Sequence, residues 1–124
     1  AIVHCHSRYA TTLACAHRAL PAVHYMIAAA GSRQIPLAPY ATFGTAELAE
    51  LAVAAMGQGR ACLLANHGQI ALGDTVDDAL SLAVEVEELA ALYVGAEQLG
   101  GAQLLADHEM ALVEAAFETY GQQS

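Results

Sequence analysis

Apolar residues open the chain as a short run, Ala1-Ile2-Val3, that resumes at Cys5 after His4, so residues 1–5 read as a strand. Tyr9 to Ala19 is built of small residues and reads as a helix stopped by Pro21. Residues 22–28 stay apolar from the β-branched Val23 onward, which predicts a strand running into a turn at Gly31-Ser32. In Ile35-Pro36-Leu37-Ala38-Pro39-Tyr40 both prolines push their predecessors out of the helical region, so this stretch is expected to be extended. Thr45 is a candidate N-cap for a helix to about Met56, with Leu48, Leu51, Ala52 and Ala55 as its apolar stripe and Gly57 and Gly59 at its end. Residues 61–65 and 69–72 read as two short strands around Asn66-His67-Gly68. Thr75 and Asp78 form a capping box before a long helix. Its solvated face holds Asp78, Ser81, Glu85 and Glu88, and its buried face Val76, Ala79, Leu80, Ala83 and Val84. Gly100-Gly101 breaks it, and a last helix from Asp107 carries Met110, Val113 and Phe117 on one face. Strands alternating with helices give an α/β class, a sheet covered by helices, in a single domain over residues 1–124.

Composition narrows the function classes. The chain is 56% hydrophobic, much of it alanine, and has no apolar stretch near the roughly 20 residues of a membrane span. Its formal net charge is -9, from 13 acidic residues against four basic ones, all arginine. That excludes a basic footprint for nucleic acid and disfavours anionic membranes. Without lysine, this chain cannot form a Schiff base with a carbonyl substrate. Cys5, Cys15 and Cys62 are odd in number and lack CxxC spacing, so a reducing cytoplasm is the expected compartment. The chain opens inside a strand with chemistry already at residue 4. It is therefore expected to be the C-terminal portion of a domain whose N-terminal part is absent.

The chemistry concentrates in three histidines. His4 and His6, separated by one strand residue, point to the same side of a sheet, while Cys5 turns to the other. His67 lies at the end of a second strand-like run. Three imidazoles around one ion leave a coordination position open, the pattern of a catalytic rather than a structural zinc site. His24 reads as a structural hydrogen-bonding residue, and His17 and His108 as surface residues. Asn66 and Gly68 are expected to shape the turn that aims His67.

Four runs carry a resemblance: Ile2-Val3-His4-Cys5-His6-Ser7, Pro21-Ala22-Val23-His24-Tyr25-Met26-Ile27-Ala28-Ala29-Ala30-Gly31, Ala38-Pro39-Tyr40-Ala41-Thr42-Phe43-Gly44-Thr45 and Leu63-Leu64-Ala65-Asn66-His67-Gly68. Together they resemble the class II aldolase/adducin family, nearest its L-fuculose-1-phosphate aldolase branch. The resemblance implies an α/β sheet with helices on both faces and a homotetramer with active sites between subunits. It implies one zinc ion per subunit on His4, His6 and His67. It further implies Tyr25 as a catalytic tyrosine reaching into the neighbouring subunit, with Phe43 and Tyr120 contacting substrate. The implied reaction is cleavage of a ketose 1-phosphate to dihydroxyacetone phosphate and an aldehyde through a metal-stabilised enediolate. Ribulose-phosphate 4-epimerase chemistry, thioribulose-phosphate dehydration and a non-catalytic adducin-like interaction module are the competing readings. The family's acid/base glutamate and its phosphate-binding loops lie upstream of the histidine pair, and no acidic residue precedes Glu47 here. The fragment alone is therefore expected to be inactive.

Overall fold

The computed structural model describes the backbone of residues 1–123 and the side chains of residues 1–119. Four strands, β1 (Ile2–Cys5), β2 (Leu37–Ala38), β3 (Ala61–Leu64) and β4 (Gly68–Leu72), form one sheet in the order β1-β4-β3-β2. β4 pairs antiparallel with β1 and β3, whereas β2 joins β3 in parallel, so the sheet is mixed. Four α-helices accompany it: α1 (Arg8–Cys15), α2 (Ala46–Met56), α3 (Val76–Gln98) and α4 (Asp107–Gln123).

Strand alternation divides the core in two. Ala61, Leu63, Ala71 and Val3 face α1 and α3, joined by Leu20, Ile27, Ile35, Val86, Leu89 and Met110. Cys62, Leu64 and Ile70 face the opposite way, onto Leu48, Ala52, Ala55 and Met56 of α2. Helices thus lie on both faces, as expected, but unequally. Local signals place α2 and α3. The Thr45 hydroxyl accepts from the Leu48 N–H at 3.3 Å, and the Thr75 hydroxyl from the Asp78 N–H at 3.1 Å. Met110, Val113 and Phe117 of α4 pack against the larger core as their spacing predicts.

Three expectations are corrected. Residues 22–28 are not a strand: Tyr25–Ala30 form a 3-10 helix. His24 caps it, its Nδ1 accepting from the Met26 N–H, and Gly31 closes it at φ 71°. The run Ala28-Ala29-Ala30 has little β preference to resist this. Helix α1 stops at Cys15 rather than Ala19, because His17 turns to φ 55°. On α3 the buried stripe is Ala79, Leu82, Ala83, Val86, Leu89 and Ala90, while Val76, Leu80 and Val84 are exposed. Ala79 and Ala83 lie on the buried side as their pattern predicts, but the stripe turns toward their i+3 neighbours, where α1 and the sheet supply the partners.

Candidate metal centre

Strand β1 turns Val3 toward the larger core and leaves His4 on the α2 side, opposite Ile70 of β4. His6 follows the strand end, and His67 closes the loop Ala65-Asn66-His67 between β3 and β4. The three rings converge, with centroids 5.0 Å apart for His4–His6, 4.7 Å for His4–His67 and 4.9 Å for His6–His67. One nitrogen from each lies within 4.8 Å of the others, and among the described residues no carboxylate joins the group.

Several neighbours hold this triangle. The His4 Nδ1 donates to the Gln69 carbonyl oxygen at 2.8 Å, which puts the ring proton on Nδ1 and frees Nε2 for an ion. Gln69 is fully buried, and its Nε2 donates to Ser7 Oγ and to the Ala83 carbonyl, each at 3.0 Å. This ties the residue after His6 to β4 and α3. Glu87 of α3 accepts from the Tyr9 N–H at 2.9 Å and the Ala10 N–H at 2.9 Å, capping α1 directly after the His4–His6 segment. At Gly68 a Cβ would run into the Cys5 carbonyl oxygen and press on the His6 ring, so only glycine lets β1 and the loop approach this closely. Burial, and then the charges His4 and His6 would carry, hold the His67 imidazole below its ordinary pKa. That favours the neutral ligand form. The donor set therefore fits a divalent ion of borderline softness such as zinc.

Two clefts open at the triangle. One of about 210 Å³ is lined by His6, Tyr40, Ala41, Phe43, Asn66 and His67. The other, about 290 Å³, runs from His4 and His67 along Leu48, Ala52, Leu64 and Ile70 under α2.

Phe43, 78% exposed, lines the first cleft with His6 and His67. Tyr25 lines neither cleft: half exposed, it stacks on His24 at 4.6 Å and meets Phe117 edge-on at 6.5 Å. The Tyr120 side chain lies outside the described residues. His24 makes the structural hydrogen bond expected of it, and His17 and His108 are exposed. Sequence reasoning missed Tyr40, Gln69 and Glu87. Gln69 carried one signal, a lone polar residue in an otherwise apolar strand; Glu87 carried none.

The sequence pattern of the class II aldolase and adducin N-terminal domain matches residues 1–94. The chain belongs to the class II aldolase and adducin family. Within this family it is 51% identical over 121 residues to a 5-methylthioribulose-1-phosphate/5-deoxyribulose-1-phosphate aldolase of Rhodospirillum rubrum, covering 98% of the chain and 55% of that protein. It is 47% identical over 122 residues to an L-fuculose phosphate aldolase of Escherichia coli, covering 98% of the chain and 57% of the relative. A solved L-fuculose 1-phosphate aldolase superposes with a TM-score of 0.91 at 45% identity, over 94% of this chain and 55% of the other. The chain thus spans a little over half the length of the class II aldolases it matches. Among the described residues no helix is long and apolar enough to cross a membrane.

Proposed function

We propose that this chain carries the metal-binding half of an aldolase that cleaves a ketose 1-phosphate to dihydroxyacetone phosphate and an aldehyde. The observation that carries the reading is the convergence of His4, His6 and His67 beside an open cleft. Zinc, one ion per subunit held by these three residues, would supply Lewis acidity to the charge that develops on the dihydroxyacetone phosphate half as the bond breaks. The chain's own groups supply the positioning and a proton. Gln69 sets the His4 tautomer, and its buried amide steadies the segment that follows His6. Tyr25, exposed and away from its own chain's triangle, suits a phenol that donates a proton to the aldehyde oxygen in a neighbouring subunit's site. A homotetramer with sites between subunits accounts for that placement. Phe43 and Tyr120 are proposed to contact substrate. The absence of lysine removes the Schiff-base alternative within this chain.

The relatives named above act on fuculose, deoxyribulose and methylthioribulose phosphates. These sugars share an apolar end opposite the phosphate. The wall formed by Tyr40, Ala41 and Phe43 suits such an end, so a terminally deoxygenated ketose 1-phosphate is the proposed substrate class. Epimerase or dehydratase chemistry would use the same three ligands. A cytoplasmic location fits the three free cysteines.

Zinc content of the purified protein and of His67→Ala is the test. One zinc per chain in the first and none in the second is expected. Release of dihydroxyacetone phosphate from L-fuculose 1-phosphate and 5-deoxyribulose 1-phosphate then separates aldol cleavage from the other reactions. A protein that takes up no divalent metal would sink the proposal.

A further inference from the structure

Among the described residues, two non-glycine residues have positive φ, His17 at 55° and Asn66 at 58°, and they are bonded to each other. His17 Nε2 meets Asn66 Oδ1 at 2.6 Å. A carboxamide oxygen only accepts, so the His17 ring carries its proton on Nε2. His17 ends helix α1. The Arg18 N–H returns to the Leu13 carbonyl at 3.0 Å and the His17 N–H to the Ala14 carbonyl at 3.2 Å, a Schellman termination with histidine in the left-handed position where glycine is usual. Asn66 occupies the middle of the β3–β4 loop. Its N–H donates to the same Ala14 carbonyl at 3.1 Å, and its side chain lines the cleft beside His67.

Helix termination alone would be served better at position 17 by glycine, and the left-handed loop residue at position 66 equally so. Both positions instead keep a side chain at some backbone strain, and the two side chains meet one residue from a metal-site histidine. Strain retained at such a place points to function. We propose that the His17–Asn66 hydrogen bond is a latch that locks the β3–β4 loop onto the end of α1 and so fixes His67 in the triangle. His17 and Asn66 are then positioning residues of the metal centre, and His17, a surface residue by sequence, acquires a role. The inference rests on the reading of the triangle as a zinc site.

His17→Gly and Asn66→Gly test it in the full chain, because each supplies the residue its backbone favours while removing the bond. Tm is expected to hold or rise in both. Zinc affinity is expected to fall about tenfold in each, with the double variant no worse than either single one. His17→Gln, which keeps an N–H donor, should recover part of the loss. In the metal-free chain, amide exchange at His67, whose N–H donates to the Leu64 carbonyl at 3.0 Å, should accelerate about tenfold in each glycine variant. Unchanged exchange and unchanged zinc affinity would overturn the latch. So would a lower Tm with wild-type zinc affinity, which marks a purely structural bond. If the wild-type protein takes no zinc, the metal reading fails, and the His67 exchange rate still decides the latch.

Discussion

The two faces of the sheet do different work. On one, Ala61, Leu63, Ala71 and Val3 lie under α1 and α3 in a closed core. On the other, α2 covers only part of the sheet, and clefts reach in to His4, His67 and Ile70. The histidine triangle sits on the open face, yet most of what holds it comes from the closed one. Gln69 points its side chain to Ser7 and Ala83 there, and Glu87 caps α1 from α3. In the proposed function the closed face aims the histidines and the open face admits the ligand. A site needs both, because a metal centre buried in the larger core would exclude its substrate, and one carried on α2 alone would lack the support that fixes ligand geometry.

Adjacent residues of β3 give the sharpest way to break that contrast. Leu63 faces the closed core and Leu64 the open side, though both are essentially fully buried. Leu63→Ala leaves a cavity that closely packed neighbours cannot fill, and is expected to cost about 4–5 kcal/mol in urea unfolding. Leu64→Ala borders a cleft where the surroundings can relax, and is expected to cost nearer ~2 kcal/mol. Zinc affinity should respond the other way, falling for Leu64→Ala, which lines the cleft with His4 and His67, and holding for Leu63→Ala in the folded protein. Equal stability losses would mean that α2 packs its face as tightly as α1 and α3 pack theirs.

The second prediction concerns the support lent across faces. The first turn of α1 has no acidic residue of its own, and the Ser7 side chain does not cap it. Among the described residues Glu87 alone supplies a side-chain acceptor, reaching Tyr9 and Ala10 from 77 to 78 positions along the chain. Glu87→Ala should cost about 1–2 kcal/mol, the range for a lost cap, and Glu87→Gln about half that, since one oxygen remains. Thermal unfolding of the two variants reads this order directly. A Tm unmoved by Glu87→Ala would show that packing against α3 holds α1 without the cap.

These residues also show what could be read from the chain. The Thr45 and Thr75 caps, the glycine stops and the alternation of His4 with Cys5 act over a few positions, so they were legible and placed α2, α3 and the histidine pair. The third histidine was legible because its strand-like run ends in a turn signal. What was not legible depends on partners distant in sequence. Glu87 looks like any helix glutamate until α1 is laid beside it. The phase of the α3 stripe is set by the surface it meets, which is why Val76, Leu80 and Val84 were misplaced. Residues 22–28 follow apolar strand rules, but a local cap from His24 and the left-handed Gly31 tighten Tyr25–Ala30 into a 3-10 helix. His17 was read as a surface residue and is one, yet its backbone angle and its bond to Asn66 are invisible in sequence.

The smallest effect tests the rim of the closed face. Arg33 grips Glu114 of α4 with two hydrogen bonds, Nε to Oε2 at 3.1 Å and Nη2 to Oε1 at 2.9 Å. The hydrogen bond from Arg33 holds the Glu114 carboxyl below its ordinary pKa. A carboxylate with a depressed folded value binds fewer protons folded than unfolded. Its contribution is therefore present above the ordinary glutamate range and is lost as the pH falls through the lower folded value. Because both groups are solvated, the pair is a weak tether for α4, and raised salt should weaken it further. In Arg33→Ala the stability loss on acidification is expected to be shallower than in the wild type, with little change at neutral pH and no change in zinc affinity. An acid profile identical in the two proteins would mean that Arg33 leaves Glu114 unperturbed and that the α4 contacts of Met110, Val113 and Phe117 alone hold the helix to the core.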